Sequence, residues 1–392
     1  MNHIKCFIKK EIVLVISMVL AVLSMLFVPP DAEYLGYIDF RTLAILFCMM
    51  TIVAGLRKLG LFELLAGRLL GAVHGMPMIS MILVGLCFFL SMLITNDVAL
   101  ITFVPFTIVT LKQMGEDMEN KHLVRIVVMQ TIAANLGSML TPIGNPQNLY
   151  LFGKSNMSFP EFFGLMLPYS LVALLLLVCW IWIPVLIEKM RSSRQNGGCQ
   201  SNPTGRGEVS PETVSGIRAP AWRLLMYLLL FVLSLLGVAR ILPVAVVFLI
   251  VLGFAVVADR GVVRAVDYSL LGTFVALFIF IGNLGRQQAF SDFLHHMIDG
   301  REVFTAIAAS QVMSNVPAAI LLSGFTDNTR ALIVGTNLGG LGTLIASMAS
   351  LISFKYIARE DGDLKGHFFR LFTVANIAFL AVLAVMSVLL GI

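Results

Sequence analysis

Charge is scarce in this chain. Of 392 residues, 27 are Lys or Arg and 22 are Asp or Glu, 12% in all, against roughly 25% in an ordinary soluble domain. A soluble globular fold is excluded. Five cysteines (Cys6, Cys48, Cys87, Cys179 and Cys199) show no CxxC spacing and six histidines form no zinc-type pattern, so neither a disulfide framework nor a closed metal site is expected. The sequence has no HExxH and no GxSxG, so an intramembrane enzyme would lack its nucleophile and base. No enzyme and no cofactor are expected. The net charge of +5 sits in short loops between apolar runs. That is the positive-inside signature of a membrane protein and speaks against nucleic acid as a partner. Inside the long apolar runs there is no Lys or Arg.

Hydrophobic residues are 58% of the chain. Uncharged runs cover 12–28, 42–56, 75–96, 98–111, 126–153, 162–187, 224–239, 241–258, 268–285, 303–326, 331–354 and 371–392. A bilayer core takes about 20 apolar residues per helix. The expected fold is an all-α polytopic membrane protein with about ten to twelve membrane segments. The run behind Lys5, Lys9 and Lys10 mimics a secretory signal, but no small-residue cleavage pattern precedes Pro29-Pro30, so residues 1–30 read as a retained first helix. Residues 189–220 are rich in Gly, Ser, Pro and Asn and carry five basic against two acidic residues. They read as a flexible cytoplasmic linker between an N-terminal half, 31–188, and a C-terminal half, 221–392. Charge places the N-terminus and linker inside and residues 29–41 outside; the expected location is the cytoplasmic (inner) membrane.

The halves match at three places. Ser91 to Phe106 lies over Ser310 to Phe325, Asn135 to Phe152 over Asn337 to Phe354 with seven identities in eighteen, and Asp39-Phe40 over Asp267-Tyr268. Five single crossings separate Asp39 from Asp267, and residues 75–111, as a re-entrant hairpin or as two spans, add an even number. An odd count turns the second repeat upside down. Inverted repeats are a common build of secondary transporters, with the substrate site near the midplane.

Thr95-Asn96-Asp97 interrupts an apolar stretch. A carboxylate at membrane depth is costly unless paired, hydrated or protonated, so Asp97 reads as a coupling residue. The alternative is an exposed turn between two spans. Its counterpart, Ser314-Asn315-Val316-Pro317, reads either as a hairpin tip or as a kink in one helix over 303–326. A hairpin tip exposes helix N-terminal N–H groups, which hold an anion without Lys or Arg. The segment from Asn135 through Thr141, Gly144, Asn145 and Gln147 to Asn148 carries two prolines and two glycines and cannot continue a smooth helix. Its freed carbonyls are candidates for Na+, unless it is an external loop. Asn337 to Thr343, with Gly339, Gly340 and Gly342, has the glycines without the Pro-Gln-Asn; those glycines read equally as helix-packing positions. His295 and His296 fall in an amphipathic, interfacial stretch.

At TNDVALITFVP, NLGSMLTPIGNPQN and SNVP the sequence resembles the ion transporter superfamily, in particular its citrate-transporter-like and arsenite-permease-like branch, related to the divalent anion:sodium symporters. The resemblance implies two inverted repeats, each with a re-entrant hairpin and an unwound helix, a static scaffold, a transport domain that moves like an elevator, and often a homodimer. It implies site residues at Thr95, Asn96 and Asp97, at Ser314, Asn315 and Pro317, and in the two unwound segments. The dicarboxylate symporters carry Ser-Asn-Thr at both tips; here Asp97 and Val316-Pro317 stand instead, and the Asp97 form is closer to the arsenite permeases and related antiporters. The expected function is H+- or Na+-coupled transport of a small carboxylate or inorganic oxyanion through the lipid bilayer, with arsenite efflux or sodium/proton antiport as the alternatives.

Overall fold

The computed structural model describes residues 11–73, 75–195 and 220–392. They form nineteen helices and no strand. Most of the expected linker, 196–219, lies outside the described residues, and its first seven residues continue a helix that runs to Gln195.

The N-terminal series is α1 (Ile12–Ser24), α2 (Tyr34–Tyr37), α3 (Phe40–Lys58), α4 (Leu61–Leu70), α5 (Met76–Ile94), α6 (Asn96–Gln113), α7 (Glu116–Ser138), α8 (Pro146–Lys154) and α9 (Phe159–Gln195). The C-terminal series is α10 (Ala221–Val238), α11 (Val244–Ala258), α12 (Arg260–Arg264), α13 (Tyr268–Gly285), α14 (Gln288–Ile298), α15 (Glu302–Met313), α16 (Asn315–Leu322), α17 (Thr329–Leu338), α18 (Met348–Glu360) and α19 (Leu364–Leu389). Six of these, α3, α5, α9, α10, α13 and α19, are long and apolar enough to cross a membrane, and α1, α11 and α15 are shorter apolar helices. The chain is a multi-pass membrane protein.

Helix starts follow from the sequence. Asp39 caps α3 by accepting from Thr42 N at 3.0 Å, and Asp267 caps α13 by accepting from Leu270 N at 3.0 Å. Such caps satisfy N–H groups that the helix leaves open. Packing divides the helices into two groups. In one, α1 lies along α13 while α10 and α11 pack on α3. Asn283 ties it inwardly, donating to Ser24 Oγ at 2.9 Å and Tyr34 Oη at 2.8 Å. In the other, α7 is central, with α5, α6, α9, α18 and α19 against it, and α15 packs on α16 and α17. The groups meet where α3 touches α8 and α13 touches α16.

Candidate functional site

Two helix pairs are each joined through one residue. Thr95 links α5 to α6 with φ 73° and ψ 150°, and Ser314 links α15 to α16 with φ 74° and ψ 154°. Glycine is the usual tenant of that backbone region. Both joints are held from outside: Asn96 N donates to Gly144 O at 3.2 Å, and Asn315 N donates to Ala346 O at 3.0 Å. Asn96 and Asn315 are each only 5% exposed, so neither tip is a solvent-facing turn. In the second pair, α15 has 12 residues and α16 has 8, about 18 and 12 Å of helix, too short to cross singly. They pack on each other, which makes 302–322 a helix pair and not one kinked helix. The first pair has longer arms, 19 and 18 residues.

The two expected broken segments are broken. Helix α7 ends at Ser138 and α8 starts at Pro146; α17 ends at Leu338 and α18 starts at Met348. Gly144 belongs at the first break because a Cβ there would stand 2.1 Å from Ser138 O. Asn145 caps α8, accepting from Asn148 N at 2.9 Å, and Asn148 Nδ2 donates to Met139 O and Thr141 O at 3.4 and 3.3 Å. Thr141 Oγ1 donates to Met92 O. At the second break Gly339 is a close-packing position, its Cβ direction filled by Ser310 Oγ at 2.5 Å, whereas Gly342 has φ 108° and serves the break itself.

The two halves exchange partners here. Asn145 Nδ2 donates to Asn337 Oδ1 at 3.0 Å, Asn337 Nδ2 donates to Asn148 Oδ1 at 2.6 Å, and Ser347 Oγ donates to Asn135 Oδ1 at 3.0 Å. Asn135 Oδ1 also receives Asn96 Nδ2 at 3.0 Å, which brings the first tip into the same network. The structure therefore gathers Asn96, Asn135, Asn145, Asn148 and Asn337 into one buried cluster. Thr343 is exposed and stands apart from it. Gln147 is 1% exposed, and its Nε2 has no acceptor among the described residues.

A cavity of about 520 Å³ lies against Thr95, Asp97 and Asn145 on one side and α3 and Asp267 on the other, reaching Arg57 and Lys58 at the end of α3 and Glu63 in α4. Asp97 Oδ1 is buried without a hydrogen-bond partner among the described residues. The second tip, through Ser314, Val316 and Pro317, borders a hollow of only about 20 Å³, which Asp267 also lines. Asp267 thus faces both tips, a role its use as a helix cap conceals in the sequence. Among the described residues no three His, Cys, Asp or Glu side chains gather to hold a metal ion. A roomier groove of about 940 Å³ between α3 and α11 is lined by apolar side chains besides Arg41 and Arg240, and touches neither tip.

Sequence reading missed Ser347 and Gln311. Gln311 is an amide in an apolar run three residues before the tip; Ser347 has no signal beyond its offset, which matches that of Asn145 in the first half.

Compared with known proteins, residues 5–331 match the family described as Citrate transporter. The chain belongs to the citrate transporter family. This places it in the ion transporter superfamily and makes its membrane helices those of an anion transporter family. The family relatives include the inner membrane protein YbiR of Escherichia coli (strain K12), 33% identical over 331 residues, 81% of this chain and 80% of the relative. An uncharacterized transporter of Methanocaldococcus jannaschii is 31% identical over 323 residues, 82% of each chain. A silicon efflux transporter of Oryza sativa subsp. japonica is 31% identical over 170 residues, 41% of this chain and 33% of that one.

Proposed function

We propose that this chain is an ion-coupled secondary transporter that carries a small carboxylate or inorganic oxyanion across the cytoplasmic membrane. The observation that carries the reading is the pair of one-residue joints at Thr95 and Ser314, each bonded to a broken helix, the first of them tied through Asn96 to the buried asparagines and bordering a cavity. Helix N-termini at such joints attract an anion, and Arg57 and Lys58 line the same cavity. The recurrence of capped helix, hairpin and broken helix in both halves supports inverted repeats, and the two packing groups support a carrier moving against a scaffold. The name of the Escherichia coli relative supports the inner membrane.

Asp97 is the proposed coupling residue and H+ the coupling ion, with the backbone between Asn135 and Asn148 as a place for Na+. The test is uptake into proteoliposomes of citrate, dicarboxylates, sulfate, phosphate and arsenite under imposed pH and sodium gradients. Asp97→Asn should abolish pH-driven uptake and leave exchange partly intact; unchanged pH dependence would remove Asp97 from that role.

A second reading has its own support. Asp97 and Asp267 line one cavity, and a relative is named a silicon efflux transporter. With Glu63 the lining holds three carboxylates against Arg57 and Lys58, a balance that favours a neutral oxyacid such as arsenite over a multivalent anion. Growth of an expressing strain on arsenite separates the two readings.

A further inference from the structure

The amide of Gln311 is unused by the transport reading. It lies on α15, near the Ser314 joint. Its Nε2 donates to Ile307 O at 3.1 Å and to Gly339 O and Leu341 O at 3.0 Å each. Its Oε1 accepts from Thr343 N at 2.9 Å, and its own carbonyl accepts from Thr343 Oγ1 at 3.2 Å. Two hydrogens serve three carbonyl oxygens, Ile307 O from within α15 and Gly339 O and Leu341 O at the second break, so the nitrogen occupies an oxygen cage completed by carbonyls of the kind an unwound helix offers to a cation. Turned over, the amide would press its oxygen against three carbonyls; the neighbours fix its direction.

The first half is built differently at the same place. Met92 stands at the offset of Gln311, and Thr141 Oγ1 donates to Met92 O as Thr343 Oγ1 does to Gln311 O. A thioether cannot donate. The carbonyls of Met139 and Thr141 are met by Asn148 Nδ2 at 3.4 and 3.3 Å, beyond the usual hydrogen-bond length.

We infer that Gln311 is a resident substitute for a metal cation in the second broken segment: its amide nitrogen fills the cage formed by Ile307, Gly339 and Leu341 carbonyls, and any coupling sodium is confined to the first broken segment. Gln311 is a positioning residue, since it holds the backbone from Gly339 to Thr343. The consequence for coupling rests on the transport reading; the filling of the cage does not.

The test is thermal unfolding of the purified full chain in detergent, in sodium chloride against choline chloride at one ionic strength, for the parent protein, Gln311→Ala and Gln311→Glu. Removing the amide opens the cage, and a carboxylate there demands a cation. Both variants should melt lower in choline than the parent and regain several degrees in sodium, a rise larger than the parent's, because a ligand that binds only the folded state stabilises it. A sodium response no larger than the parent's overturns the inference. If Gln311→Ala does not fold, Gln311→Glu decides by the same comparison, and failure of both to fold at every sodium concentration also overturns it. No step of this measurement involves transport, so its failure is distinguishable from failure of the anion reading.

Discussion

Thr95 and Ser314 hold a backbone that an ordinary side chain adopts at a cost of about 1–3 kcal/mol. Glycine at either place would remove that strain and add roughly 0.5–1 kcal/mol of lost chain entropy. Thr95→Gly and Ser314→Gly should therefore melt no lower than the parent, yet transport should fall because the joint is no longer fixed; melting and proteoliposome uptake measured together check this. The glycines give the opposite sign. A Cβ at Gly137 would stand 2.0 Å from Phe88 O and one at Gly144 2.1 Å from Ser138 O, backbone atoms that cannot step aside. Gly137→Ala and Gly144→Ala should each destabilise by roughly 3 kcal/mol or more. Gly85 and Gly164 have open space there, and alanine at either should leave the melting point level or raise it. At this scale the sequence announced the polar interruptions, because Asn96, Asp97 and Asn315 stand out in apolar runs. It was silent on Gln311, whose role depends on carbonyls about 30 residues away in the chain.

The broken helices were legible because proline and glycine act locally, and Asn145 followed by Pro146 is a readable helix start. What Asn145 does beyond capping was not legible, since its partner Asn337 is 192 positions away. Their coupling is measurable. Asn145→Ala and Asn337→Ala each strand a buried partner, costing about 1–3 kcal/mol. The double variant should cost less than the sum by 0.5 kcal/mol or more, on the order expected for residues in one network; strict additivity would show that the bond contributes nothing. Helix α9 runs through the first seven residues of the expected linker, to Gln195, for a local reason as well. Residues 189–195 carry Lys189, Arg191 and Arg194, good helix formers that extend α9 past its apolar part.

Across the whole molecule, Arg240 joins the packing groups together with Tyr150, whose ring centroid lies 6.3 and 5.5 Å from those of Phe274 and Phe278. Arg240, in the turn between α10 and α11 with φ 64°, donates from Nη2 to Phe152 O at 3.2 Å, Gly153 O at 3.3 Å and Ser155 O, and lies 5.8 Å from the Phe152 ring centroid. Removing it should free the end of α8. In Arg240→Ala, amide hydrogen exchange should quicken around residues 152–155 and stay unchanged in α1 and α13, and global melting should move by less than about 2 kcal/mol. Uniform exchange across both groups would mean the contact is incidental. The sequence gives Arg240 only as a charge between two apolar runs.

The crossed asparagines constrain how such a molecule can be altered. Because Asn145 and Asn148 both bond Asn337, and Asn135 bonds Ser347, opening either broken helix breaks hydrogen bonds that the other holds. Damage to one half is felt by the other. In a genetic selection, second-site suppressors of a lesion at Asn145 should arise at Asn337 or beside it, in the opposite half of the gene.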